Sequence, residues 1–352
     1  MDLNNLILFF VLTSFGLFFY KYFLVFIKKY KLKLLIDDQL KKPQAFHESP
    51  ISTSGGLGIF FLFLIFSFYL FLTKQIIYYE YLSFCSLFFL LGLLDDLKLN
   101  IRPKLRLILM IVFLFAVVIS NKFYIEHTGI GFLNRFLEID IFALFFVCLC
   151  FLFIINGSNL IDGYNGLLSI HSLIILLNLF FINYFNNNND LAFLILFIIL
   201  TIIVFLKFNY PKASIFLGDS GSYFLGTFIA VSVINTSIDN PSISPFYFCI
   251  LLFYLFFEVF FSFFRKIFFE RKSPLFPDKK HLHMLIYKKL LKKYKNKLKS
   301  NYYVTIVINT VYFILIIPAI FMMNNGLFCK YYSLLFFVIY LLTYKMVYAK
   351  EK

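Results

Sequence analysis

The chain reads as an all-α polytopic membrane protein of about eleven transmembrane helices, amino terminus outside and carboxyl terminus inside. Three observations predict this. The first is composition: 61% of the 352 residues are hydrophobic and 54 are Phe, an apolar load that only a bilayer solvates on every face. The second is length: eleven apolar runs are long enough to cross roughly 30 Å of hydrocarbon. The third is the rhythm of charge. With the amino terminus outside, the inside segments 28–53, 95–106, 157–165, 207–221, 265–301 and 345–352 hold 28 of the 33 Lys and Arg, as the positive-inside rule requires. An even number of spans breaks that alternation.

The runs fall at approximately 3–27, 54–73, 76–94, 104–120, 141–156, 166–184, 190–207, 222–238, 245–264, 302–322 and 328–346. The first lacks a basic start and a small-residue cleavage site, so it reads as a retained span. Little chain lies between spans, so residues 1–352 are expected to form one integral membrane domain, with 265–301 as a basic cytoplasmic loop within it. The net charge of +15 follows from the positive-inside bias and from contact with anionic headgroups at Lys28 to Lys33 and along Lys288 to Lys299. Nucleic acid is thereby a poor partner and membrane lipid a good one. The five Cys show neither metal spacing nor a paired framework, and read as packing.

Polar clusters interrupt this pattern at the inside ends of the spans. In FLLGLLDDLKLNIRPKLR (89–106), Asp95 and Asp96 close the third span and are followed by Lys98, Arg102, Lys104 and Arg106. Adjacent carboxylates at a membrane boundary are costly and repel each other unless a cation lies between them. The fifth span ends in INGSNLIDGYNG (155–166), where Asn156, Asn159, Asp162 and Asn165 form a turn-rich break denser in polar groups than a plain turn needs. Asp219 opens the eighth span, where free N–H groups favour anions. Glu258 lies in a Phe-rich run near the inner boundary, within reach of Arg265. The Ser54-Gly55-Gly56-Leu57-Gly58 stretch reads as helix packing rather than phosphate binding, and His171 as a hydrogen-bonded packing residue. His281 and His283 share a face only if extended, and no third ligand is spaced for zinc. Acids and bases at one membrane face suit a phosphate substrate bridged by a hard dication.

The blocks HESPISTSGGLG, LLGLLDDLKLNIRPKLR, NGSNLIDGYNGL, NYPKASIFLGDSGSYFLG and PDKKHLHMLI occur in this order between about residues 47 and 286. In them the chain resembles the polyprenyl-phosphate N-acetylhexosamine-1-phosphate transferase family (glycosyltransferase family 4). The last block is more similar to the branch that initiates surface polysaccharides or teichoic acids than to the peptidoglycan branch.

The resemblance implies transfer of N-acetylhexosamine 1-phosphate from a UDP-sugar to undecaprenyl phosphate, with release of UMP, at the cytoplasmic face of a bacterial inner membrane. It implies Mg2+, with Mn2+ as a substitute, and allows a homodimer. Carried over by position, Asp219 is a metal ligand, and Asp95 and Asp96 act on the lipid phosphate or assist the metal. Asp162 with Gly163, Tyr164 and Asn165 helps to form the nucleotide pocket. Asn156 and Asn159 bind substrate, Asn209 supports the site near Asp219, and His281 and His283 contact the sugar phosphates. Asn165 stands where many members have a second Asp, and Met284 replaces a third His. The alternatives are the phospho-N-acetylmuramoyl-pentapeptide transferase of peptidoglycan synthesis, a lipid or sugar transporter, and a non-catalytic scaffold.

Overall fold

The computed structural model describes residues 3–30, 35–37, 50–99, 101–274 and 278–349. The start of the first block (47–49) and Pro277 of the last lie outside the described residues. The elements are helical apart from a two-residue ribbon, β1 (Ile36–Asp37) antiparallel to β2 (Ile51–Ser52). In order the long helices are α1 (Leu3–Tyr30), α2 (Gly55–Lys74), α3 (Tyr79–Asp96), α4 (Pro103–Asn121), α6 (Asp140–Ile161), α7 (Leu167–Phe185), α8 (Asn189–Asn209), α9 (Gly218–Asp239), α13 (Lys297–Phe321) and α14 (Gly326–Ala349). Between them lie the short α5 (Gly131–Leu137), the pair α10 (Pro245–Leu251) and α11 (Phe253–Phe264), a π-helical turn (Arg265–Phe269) and α12 (Leu282–Tyr294).

Among the described residues nine helices are long and apolar enough to cross a membrane, ten if α10 and the segment after it count as one bent span. The eleventh expected segment is α3, which has only 18 residues and carries Glu80, Asp95 and Asp96. A helix satisfies its own backbone groups, which is why apolar chain in lipid folds this way.

Two expectations need correcting. The run 245–264 is not straight: α10 and α11 meet at Leu252 with a bend of 73°. No Pro or Gly breaks CILLFYLFF, so the cause is tertiary. The Tyr312 hydroxyl on α13 donates to the carbonyl of Leu251, which the interrupted helix leaves without an intrahelical partner. The fifth run also extends further than expected. α6 stays helical through Ile161, so Asn156 and Asn159 lie on its last turns and only residues 162–166 form the turn.

α9 is the centre of the bundle, nearly all buried, and is flanked by α2, α3, α6 and α7. Its small residues let neighbours approach closely, which is the main source of helix association where lipid removes the hydrophobic drive. Gly92 of α3 marks one such close approach: a Cβ there would lie 2.4 Å from the carbonyl oxygen of Asp219. At the start of α2, the N–H groups of Gly55 and Gly56 donate to the carbonyls of Phe216 and Leu217 at 2.9 and 2.8 Å, so this glycine stretch serves packing. His171 is buried, with Nδ1 3.1 Å from Asn309 Oδ1, as a packing residue should be.

Candidate active site

At one end of the bundle, residues of α3, α4, α6, α8, α9 and α11 and the start of α12 surround one cavity of about 950 Å3. Asp95, Asp96, Asn156, Asn159, Asp162, Gly163, Tyr164, Asn165, Asn209, Asp219 and His281 all line it. Residues from positions 95 to 281 converge here because successive spans alternate direction, so every second loop returns to the same end.

Asp95 and Asp96 end α3, and adjacent helical positions point about 100° apart, so the two carboxylates face different partners. Asp95 Oδ2 accepts from Arg106 of α4 at 2.7 Å, and the same guanidinium nitrogen lies 3.6 Å from Asp219 Oδ2. Arg106 is thus the cation between the acids. Sequence reasoning named it only as one of four bases. The signal lay in the shortness of the link: α4 starts only a few residues after α3 ends and packs against it.

Asp96 does something different. Its Oδ1 accepts the N–H of Asp219 at 2.9 Å, and its Oδ2 accepts the N–H and the hydroxyl of Ser220 at 2.9 and 2.6 Å. α9 begins after Leu217, whose side chain cannot cap it. Asp96 therefore supplies from α3 the cap that α9 lacks, a carboxylate on the positive end of a helix. Gly218, at φ +81°, turns the chain into α9 in a left-handed conformation that favours glycine; a Cβ there would also meet Asp96 Oδ2 at 2.6 Å.

Asp219, so placed, accepts from Asn159 Nδ2 at 2.8 Å, and Asn159 also reaches Ser222 Oγ at 3.0 Å. Asn156 turns its amide back to the Leu152 carbonyl at 2.7 Å. Asp162 follows the last turn of α6. Burial, and then the carboxylates of Asp219 and Asp96, push its carboxyl well above the ordinary range. Gly163 faces open space.

Asn165 and Asn209 brace the turn. The Asn165 N–H donates to Asn301 Oδ1 at 2.9 Å, its amide to the Pro211 carbonyl at 2.8 Å, and its carbonyl accepts from Thr305 at 2.7 Å. Asn209 Oδ1 accepts the Gly166 N–H at 2.7 Å and its amide donates to the Ile215 carbonyl at 2.8 Å.

The two histidines separate. His281 lines the cavity. His283 does not: it is fully buried behind the wall, packed edge-on to Tyr164 with ring centroids 5.8 Å apart and with Nδ1 3.4 Å from the Tyr254 hydroxyl. Burial first, and then the cation of His281 when it is protonated, hold its imidazole down at about 3, against the pull of Glu258, so it is neutral. The difference is one of depth: His281 is the extended residue just before α12 and reaches the cavity, while His283, inside the first turn, stacks behind it with ring centroids 5.4 Å apart. Glu258 is also placed differently from expectation. It pairs with His281 Nδ1 at 3.2 Å, while Arg265 pairs with Glu270 and Asp278.

Among the described residues, no three acid, His or Cys side chains already stand close enough to hold one ion as a set. Asp95 is engaged with Arg106 and Asp96 with the start of α9. Asp162 and Asp219 are the carboxylates whose position fits a dication. A pair of oxygen donors such as Asp162 and Asp219 suits Mg2+, which takes one or two carboxylates and completes its shell with phosphate and water.

An all-helical membrane protein with an acid-lined, Arg-bridged cavity at the basic end of its bundle belongs to the class that handles anionic substrates beside a bilayer. The profile of glycosyl transferase family 4 matches residues 78–237. The undecaprenyl-phosphate alpha-N-acetylglucosaminyl 1-phosphate transferase of Thermotoga maritima is 34% identical over 250 residues, 69% of this chain and 70% of that one. The phospho-N-acetylmuramoyl-pentapeptide-transferase of Dictyoglomus turgidum is 39% identical over 158 residues, and this chain spans only 50% of its length. That of Streptococcus agalactiae is 30% identical over 227 residues, 58% of this chain and 66% of that one. The chain belongs to glycosyl transferase family 4.

Proposed function

We propose that the protein transfers N-acetylhexosamine 1-phosphate from a UDP-sugar, UDP-GlcNAc or a derivative, to undecaprenyl phosphate. UMP is released and a lipid-linked glycan is started at the cytoplasmic face of a bacterial inner membrane. The observation that carries this reading is the meeting of four acids and Arg106 in one cavity. Its lining also includes Leu107 and Met110 of α4, Leu152 and Phe153 of α6, and Phe260 and Phe263 of α11, apolar surface suited to a polyprenyl chain. The Thermotoga relative, matched over most of its length, favours this branch over the peptidoglycan one. The excess of Lys and Arg in the segments at this end of the bundle supports a cytoplasmic cavity under the positive-inside rule.

In this mechanism a lipid-phosphate oxygen attacks the sugar-linked phosphorus. A new P–O bond forms there, the P–O bond to UMP breaks, and UMP leaves with the electron pair. Asp162 and Asp219 would hold Mg2+, which would supply neutralisation of charge on the transferring phosphate. Arg106 balances charge across Asp95 and Asp219. Asn159 orients Asp219, and Asp96 fixes the backbone from which Asp219 projects. His281 stands at the far wall for a phosphate oxygen. Phosphoryl transfer asks for little beyond such positioning and neutralisation.

The test is UMP release by the purified protein from a panel of UDP-N-acetylhexosamines with Mg2+. UMP is expected only when undecaprenyl phosphate is present, and Asp219→Asn is expected to abolish it. Turnover with no UDP-sugar in the panel, or full activity of Asp219→Asn, would contradict the proposal.

A further inference from the structure

Glu258 is 1% exposed, in a Phe-rich helix, and among the described residues has no Lys or Arg partner. A buried carboxylate persists only where other groups satisfy it. Here those groups come from the start of α12. The Leu282 N–H donates to Oε1 at 3.0 Å, His281 Nδ1 lies 3.2 Å from Oε2, and His283 Nδ1 lies 4.0 Å from Oε1. The phenols of Tyr254 on α11 and Tyr340 on α14 complete its surroundings. Around His281 itself stand the stacked ring of His283, 5.4 Å away, and the carboxylate of Asp278 in the preceding loop. From α14, the Tyr344 hydroxyl holds the Lys280 carbonyl at 3.0 Å.

We infer that Glu258 is a positioning residue for His281. A carboxylate only accepts, so the ring nitrogen facing it carries the proton, and the hydrogen bond made by one imidazole nitrogen sets the state of the other. Glu258 therefore fixes Nδ1–H, and Nε2, on the opposite edge of the ring, is the atom left for the cavity. There it donates to a phosphate oxygen when the ring is charged and accepts a proton when it is neutral. The grip on the Leu282 N–H fixes the backbone at the same point, so ring and helix start are set by one side chain. The role in turnover rests on the transfer reaction proposed above, whereas the protonation pattern does not.

The experiment pairs nitrogen-15 spectra with kinetics. In protein labelled at its five histidines, resonances are assigned with His281→Asn and His283→Asn. The wild type should carry a proton on His281 Nδ1, and Glu258→Leu should lose that signal. Glu258→Gln keeps a carbonyl oxygen for the Leu282 N–H but removes the charge. It should lower kcat on the order of 100-fold with little change in KM, the low end for a positioned proton-handling group. In a His281→Asn background the same change should have no further effect, which a purely structural role would not produce. An unprotonated Nδ1 in the wild type, or independent additive losses in the double variant, would overturn the inference. If the Glu258 variants do not fold, the wild-type spectrum alone decides it. If no UDP-sugar is turned over, the functional reading fails while the spectrum still decides the role of Glu258.

Discussion

Of the described helices that begin without a side-chain cap of their own, α9 and α12 are each capped by a carboxylate from another helix. Asp96 of α3 takes the first N–H groups of α9; Glu258 of α11 takes the Leu282 N–H of α12. Both devices solve the same problem, orphan donors at a helix start away from bulk water. They differ in what surrounds them. Asp96 is half-buried at the cavity wall, with Asp219 directly beside it, whereas Glu258 is sealed behind the wall among aromatic rings. The open cap presents a second acid to the cavity, and the sealed cap presents an imidazole. In both, an acid that looks reactive in the sequence acts by holding another residue in place.

Removing each cap separates these roles. Asp96→Ala should cut activity at least about 1000-fold, because the Asp219 carboxylate loses its fixed origin, yet cost only about 1–2 kcal/mol, since cavity water can reach the freed donors. Glu258→Ala should cost more stability, about 2–4 kcal/mol, because its donors are left dry. Activity assays beside thermal melts in detergent check the crossing of the two effects; equal stability losses would remove the distinction.

Gly92→Ala probes the same cap from behind. The added methyl carbon would sit 2.4 Å from the Asp219 carbonyl, so α3 and α9 must separate. Activity should fall about 10- to 100-fold, the scale of a small misplacement of a reacting group, with fold retained by circular dichroism.

A milder effect is expected with pH. The raised proton affinity of Asp162 means that the folded, metal-free protein holds this proton where the unfolded chain releases it, above about pH 3.9. The associated stability is present at low pH and is lost as pH rises through the folded value. Metal binding works in the opposite sense, so raising Mg2+ should move the acidic limb of kcat/KM to lower pH. Asp162→Asn should lose that Mg2+ dependence. A limb that ignores Mg2+ would take Asp162 out of the metal site.

The smallest effect on activity is expected at Asn165. Its amide donates to the Pro211 carbonyl, which a carboxylate cannot do. Asn165→Asp should destabilise by about 1–3 kcal/mol, measured by thermal melts, while KM for the UDP-sugar changes little.

The bundle was legible because its causes are local: apolar length sets each span, and alternating basic ends set the order. The cavity was legible in outline for the same reason, since spans that alternate must bring positions 95, 162 and 219 to one end. What the sequence could not convey was direction. The pair Asp95-Asp96 reads as one acidic unit, but helical geometry splits it, one carboxylate to Arg106 and the other to α9. His281 and His283 likewise read as a pair, and only the docking of α12 on α13 and α14 decides which ring meets the cavity. The break at Leu252 has no residue signature, because its stabilising partner, Tyr312, lies 61 positions beyond the Leu251 carbonyl it reaches.

The arrangement of acids is tested most directly by titrating Mn2+ into the purified protein and following the free ion by electron paramagnetic resonance. One site is expected in the wild type, weakened at least tenfold in Asp219→Asn and close to wild-type in Asp95→Asn. Wild-type affinity in Asp219→Asn, or loss of binding in Asp95→Asn alone, would contradict the assignment of the metal to Asp219 and Asp162.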